Sequence, residues 1–260
     1  MRKANIPDLP KLENGLPDLT NKEIELLADH MAIQFCPDIV ENPKPLDVDL
    51  FIEFLGFTLD YRYLSHCQCY LGVTVFRKMK FPTFNMSTFK PELTCVPANT
   101  IIIDEGLYQQ METDGHEGRY RFTEAHECGH AIMHPDFYAR QAKSIQAAQH
   151  SLAAYHSGEC QSALPALSDS DLAERQANHF ASCLLMPRSS ILNLLERLVN
   201  PMYWEDIDII RLVKETYNVS WPSAFYRLKQ LGWLTTEMEE FDWDALTTRT
   251  PFLFLRDVIR

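Results

Sequence analysis

The stretch Arg121-Phe122-Thr123-Glu124-Ala125-His126-Glu127-Cys128-Gly129-His130 constrains this chain more than any other. Residues four apart share one face of a helix, so His126 and His130 present their imidazoles side by side. Ala125, Cys128, Gly129, Ala131 and Ile132 make the helix small and apolar, the composition of a buried element. Two buried histidines flanking a glutamate need a compensating partner, because an unpaired polar group in an apolar interior is costly. A divalent metal is such a partner, and H-E-x-x-H on a helix has the spacing for it. Glu127 lies one step round the helix, within reach of a water on that metal. Zinc lowers the pKa of such a water to about 7. Glu127 then acts as general base, taking the proton during attack on a carbonyl and passing it to the leaving amine.

A catalytic zinc takes three protein ligands and keeps a fourth position open. In the pattern H-E-x-x-H-x-x-G-x-x-H the third ligand follows a glycine turn, but here those positions hold Met133 and Asp136. His134 continues the histidine row by one more turn. That is too far along a straight helix to share one tetrahedral ion, so it reads as a helix-end residue or one that supports the ligands. The better candidate lies downstream, where Asp171 to Pro187 reads as a second helix, capped by Asp169 or Ser170 and stopped by Pro187. Ala177, Ala181 and Leu184 form a stripe that lets another helix approach closely. Glu174 and Asn178 share one face of it. The carboxylate completes a metal sphere, and the amide one turn on holds a histidine ligand from behind. The cofactor expected is one Zn2+ per chain, although imidazole and carboxylate ligands also suit Mn and Fe.

The surrounding pattern is that of an α+β chain. Residues 1–20 are rich in Pro, Asn and Asp and read as a loose arm. Thr20 caps a helix from Asn21, with Glu23 completing a capping box, and Asp47 opens a short helix that Gly56 stops. Phe57–Tyr63, Leu71–Phe76 and Thr100–Asp104 read as strands, the last as either a core strand or an edge that pairs with extended substrate. After Gly118 the chain turns helical, save for a possible strand at Phe252–Leu255. The expected layout is an arm and helix over 1–46, a core over 47–187 interrupted by an Ala-, Gln- and Ser-rich insertion at about 135–172, and a helical region over 188–260. The sheet should be small, mixed or antiparallel, and packed with the zinc-binding helix pair.

Composition narrows the function classes. A net charge of −12, from 36 acidic and 24 basic residues, argues against nucleic acid as a direct partner, since such binding leans on Lys and Arg at phosphates. Two amphipathic helices around Asn218-Val219-Ser220 resemble a helix-turn-helix, but Arg227, Lys229 and Lys214 are few. A DNA-binding regulator is therefore an alternative, as is a metal-bearing module that binds a repressor without cutting it. No apolar run is long enough to span a membrane, and no apolar stretch follows Met1-Arg2-Lys3, so a cytoplasmic setting is expected. The seven cysteines show no framework spacing and read as free thiols, including Cys67 and Cys69 beside His66. His150, His156, Glu159 and Cys160 offer a weaker second cluster. Tyr138, Tyr155, His156 and His179 are candidates to stabilise an oxyanion.

Two blocks together, Arg121 to His134 and Glu174-x-x-Ala177-Asn178-x-Phe180-Ala181 with Leu184-Leu185-Met186-Pro187, resemble the ImmA/IrrE metallopeptidase family. Asn99–Asp104 looks like the strand before its metal helix, and Val219 to Gly232 like its C-terminal helical element. The resemblance covers residues 47–233. It implies His126, His130 and Glu174 as zinc ligands, Glu127 as general base and a gluzincin-like helix pair. It also implies a protein substrate, a helix-turn-helix repressor encoded nearby, since members cleave or antagonise such repressors in mobile-element induction and stress responses. The spacing from His130 to Glu174 is longer than the family's, and the N-terminal region shows no helix-turn-helix of its own.

Overall fold

The computed structural model describes residues 3–114, 117–140, 147–150, 168–198 and 204–234, with backbone only at 114 and 147–150. The α+β class expected from the sequence holds. Helix α1 (Asn21–Phe35) starts where Thr20 Oγ1 accepts the Glu23 N–H, and the Glu23 carboxylate accepts the Thr20 N–H in return. Helix α2 (Val48–Leu55) is capped by Asp47 and ends at Gly56, whose φ of 84° only glycine adopts without strain.

Strands follow as β1 (Thr58–Arg62), β2 (Gly72–Val75), β3 (Met79–Asn85), β4 (Lys90–Val96) and β5 (Thr100–Asp104), with β6 (Ala147–His150) further on. The main sheet has the order β1-β5-β2-β6. β1 runs parallel to β5, and β2 runs antiparallel to both β5 and β6. β5 is thus internal and fully buried, so the core-strand reading of Thr100–Asp104 stands and the edge reading does not. β3 and β4 form a separate antiparallel hairpin that the sequence reading passed over.

The helices are α3 (Glu105–Asp114), α4 (Glu117–Met133), α5 (Pro135–Arg140), α6 (Asp169–Leu185), α7 (Arg188–Glu196), α8 (Asp206–Tyr217) and α9 (Trp221–Gln230). α6 begins earlier than expected because Ser168, not Asp169 or Ser170, is its cap: Ser168 Oγ accepts the Asp171 N–H and Asp171 accepts from Ser168. The possible strand at Phe252–Leu255 lies outside the described residues.

Alternation along β2 divides the interior. Val73 and Val75 join Phe81, Val96 and Ile102 on one face of the sheet. Gly72 and Thr74 face α4 on the other, where the larger core unites α1, α2, α4, α6, α8 and α9. Helices α4 and α6 meet at small residues: a Cβ placed on Gly129 would lie 3.1 Å from the Ala177 Cα. The small-residue stripe predicted around Ala177 does permit that approach.

Residues 3–20 are not loose. Leu16 is fully buried with Phe137, Tyr138 and Ala173. Lys11 pairs with Asp136 at 2.8 Å, and Gln176 Nε2–H donates to the Pro17 carbonyl. Apolar burial and these fixed polar contacts outweigh the arm's turn-forming composition. Cys67 and Cys69 are not free thiols but are joined as a disulfide. Gln68 between them adopts a φ of 54°, folding the chain back so that the Cα atoms of the pair lie 5.4 Å apart, within bonding range. Cys36, Cys95, Cys128 and Cys183 are free thiols. Among the described residues, no helix is long and apolar enough to cross a membrane.

Candidate metal centre

His126, Glu127 and His130 lie on α4, and Glu174 and Asn178 lie on α6. The close helix contact at Gly129 and Ala177 brings the two sets together. One ligand atom from each of His126, His130 and Glu174 lies within 4.8 Å of the others. His126 Nε2 is 3.4 Å from Glu174 Oε2, and His130 Nε2 is 3.7 Å from Glu174 Oε1. The two histidine Nε2 atoms are 3.0 Å apart. Ligand bonds of about 2.0–2.1 Å at tetrahedral angles put donor atoms about 3.3 Å apart, so these separations fit one such ion.

The hydrogen-bond partners fix the tautomers in the same sense. Gln176 Nε2–H donates to the Pro17 carbonyl, so its Oε1 faces His134 as an acceptor. His134 Nε2–H donates to it at 2.9 Å, which leaves His134 Nδ1 as an acceptor for the Nδ1–H of His130 at 3.0 Å. His130 Nε2 then carries a lone pair. On the neighbouring ring, His126 Nδ1–H donates to Asn178 Oδ1 at 2.9 Å, so His126 Nε2 carries one too. Two lone pairs directed at each other beside a carboxylate form a donor set for a cation. His134 directly follows the last residue of α4 and is buried against His130, and Asn178 bonds His126.

Burial disfavours charge on His126, but the Glu174 carboxylate and the nearby Glu127 outweigh it and raise the imidazole pKa above its ordinary value. A metal competes with that proton, so metal affinity falls as pH falls. The opening lies towards Glu174, whose side chain is 30% exposed while that of His130 is 0% exposed.

Glu127 is clamped by β2. Thr74 Oγ1 lies 2.7 Å from Glu127 Oε2, to which it donates, and 3.1 Å from the Glu127 carbonyl. A Cβ on Gly72 would fall 2.6 Å from Glu127 Oε1, so the glycine leaves the room the carboxylate occupies. Thr74, Gly72 and Gln176 were not singled out in the sequence. The available signal was a hydroxyl inside the apolar run Val73-Thr74-Val75.

Of the oxyanion candidates, Tyr138 is buried with its ring centroid 5.7 Å from that of His130. Burial, then Glu174 and Glu127, push its phenol pKa up, so it stays a hydrogen-bond donor at neutral pH. His179 faces elsewhere and bonds the Asn21 carbonyl at the start of α1. Tyr155, His156, Glu159 and Cys160, and the His150 side chain, lie outside the described residues. Arg227, weighed above for DNA contact, is buried and donates to the Met186 carbonyl and to Glu25.

No curated protein matches the chain. Residues 112–229 match the family model of the IrrE N-terminal-like domain, a peptidase domain. That span runs from the end of α3 to the last turn of α9 and contains the whole donor set. The fold and the metal-compatible cluster agree with that match, and residues 112–229 are similar to the IrrE N-terminal-like domain, as the resemblance to the ImmA/IrrE family implied.

Proposed function

We infer that the protein is a zinc-dependent endopeptidase that hydrolyses peptide bonds in a protein substrate. The observation that carries this reading is the donor set of His126, His130 and Glu174 within 4.8 Å, with the adjacent Glu127 clamped by Thr74. A bound zinc supplies an acidified water and polarises the scissile carbonyl. Glu127 accepts the proton of the attacking water and returns it to the departing amine. Tyr138 donates its O–H to the developing oxyanion. Asn178 and the His134–Gln176–Pro17 chain hold the imidazoles so that neither ring must reorient.

The substrate class that the resemblance to ImmA/IrrE proteins implies is a helix-turn-helix repressor, met in the cytoplasm. Cutting such a repressor regulates transcription without any DNA contact by this chain.

The experiment is hydrolysis of fluorescein-labelled β-casein. We expect about one zinc per chain by elemental mass spectrometry, loss of hydrolysis with a chelator and its return with added zinc. A chain that binds no zinc when supplied with it, or cleaves equally well with chelator present, ends this reading.

Two further outcomes follow from the geometry. Gly72→Ala displaces the Glu127 carboxylate, and a misplacement of about 1 Å costs roughly a hundredfold in rate. We expect kcat to drop while zinc content stays at wild type. Asn178→Ala removes the acceptor of the His126 Nδ1–H. Zinc affinity should fall roughly 10–100-fold in a competition titration, and an unchanged affinity would strip Asn178 of this role.

A further inference from the structure

The outer edge of β2 is covered by the protein itself. β6, four residues between α5 and α6, pairs antiparallel with β2 in the register Gly72↔His150, Val73↔Gln149, Thr74↔Ala148 and Val75↔Ala147. On the other side of β2, the Asp104 N–H donates to the Leu71 carbonyl. Alternation then turns the backbone groups of Leu71 and Val73 towards β5, and those of Gly72 and Thr74 towards β6. Gly72 and Thr74 are also the residues that contact Glu127. The backbone of Ala148 to His150 therefore runs about 4.8 Å, one strand spacing, beyond the two residues against which Glu127 rests.

Antiparallel addition to an open strand edge is how a sheet takes hold of an extended polypeptide through main-chain bonds alone. The occupant here is a weak strand. Ala147-Ala148-Gln149-His150 contains no β-branched or aromatic residue of the Val, Ile, Thr, Phe, Tyr and Trp set that favours strands. A segment richer in those residues replaces the same main-chain bonds and gains cross-strand packing besides.

We propose that β2 is the strand-addition edge for extended polypeptide at the metal centre, and that Ala147–His150 occupies it in cis as an internal competitor. Its regulatory meaning rests on the peptidase reading above, while the strand exchange does not. The wild-type chain is held in a covered state, and a polypeptide gains entry by displacing β6.

The test separates the two. Ala148→Pro removes the N–H that faces the Thr74 carbonyl, whereas Gln149→Pro removes one that faces away from β2. All forms are prepared zinc-loaded with Glu127→Gln, so that binding is read without cleavage. If the covered state leaves about a tenth of molecules open, fluorescein-labelled β-casein should bind Ala148→Pro roughly tenfold more tightly, and Gln149→Pro unchanged. Hydrogen exchange at the Gly72 and Thr74 amides should quicken in Ala148→Pro alone.

With the segment unmutated, saturating β-casein should release the Ala148 and His150 amides to exchange while Gly72 and Thr74 stay protected. Protection of Ala148 and His150 that survives saturation overturns the proposal, as does open β2 without tighter binding. That measurement needs no proline variant to fold. Tighter binding together with no cleavage by any Glu127-containing form would sink the peptidase reading and leave strand addition standing.

Discussion

Glu127→Gln, purified with its zinc, is expected to lose β-casein hydrolysis roughly a thousandfold, within the 10²–10⁴ range that positioned general bases contribute. The amide has the shape of the carboxylate and can keep the Thr74 hydroxyl as its partner, so the fold and the donor set stay in place. What it lacks is a basic oxygen for the proton of the attacking water. Zinc content measured on the same sample should remain about one per chain, which separates loss of the base from loss of the metal. Residual turnover within tenfold of wild type would remove Glu127 from the chemistry. If the variant still antagonises a repressor in cells while cleaving nothing, sequestration replaces hydrolysis as the mode of action.

The second large effect is on stability. Glu124, two residues before the first histidine, is 1% exposed. Burial above all, and then the hydrogen bond and charge of Asp49, push its carboxyl pKa up to about 10 from an ordinary 4.5. One of its oxygens has no hydrogen-bond partner. Between those two pH values the folded chain holds a proton that the unfolded chain releases, so this group makes stability fall as pH rises. At about 1.4 kcal/mol per unit, the loss by pH 7 is on the order of 3 kcal/mol. Glu124→Gln keeps a neutral side chain of similar shape and should therefore be stabilising, by about 3 kcal/mol at pH 7 and by little at pH 4. Urea unfolding of both chains at several pH values checks this. A difference that does not vary with pH would mean that Glu124 is charged in the fold and matched by another route.

The helix pair and its donor set were legible because they are written locally. The H-E-x-x-H spacing puts two imidazoles on one face, and the small residues around Ala177 state that another helix must come close. Thr74 was not legible, because its role exists only once β2 lies over α4, a pairing between distant segments. The β3–β4 hairpin carries Pro82 and Pro91, a residue type depleted in strands, so its sequence gives little strand signal. The Phe84 N–H donates to the Tyr63 carbonyl, away from β4, and alternation turns the backbone of Pro82, and of Pro91 opposite Phe84, outward as well, so neither proline removes a ladder bond. The arm over residues 3–20 looked loose because prolines and turn residues dominate its composition, yet the buried Leu16 and Pro17 anchor it. The joined Cys67 and Cys69 depended on the backbone twist at Gln68, which no spacing rule reveals.

The polar chain that orients His130 ends on the carbonyl of Pro17, 159 residues from Gln176. A ribosome adding about 5–20 residues per second makes Pro17 roughly ten to thirty seconds before it makes Gln176. A nascent chain that ends between His130 and Glu174 has both histidines but neither the Glu174 carboxylate nor the amide that sets the imidazole row. On the peptidase reading, such half-made copies lack the complete site. The order of synthesis itself delays completion of the donor set until α6 is made, after the sheet strands β1 to β5 and helix α4.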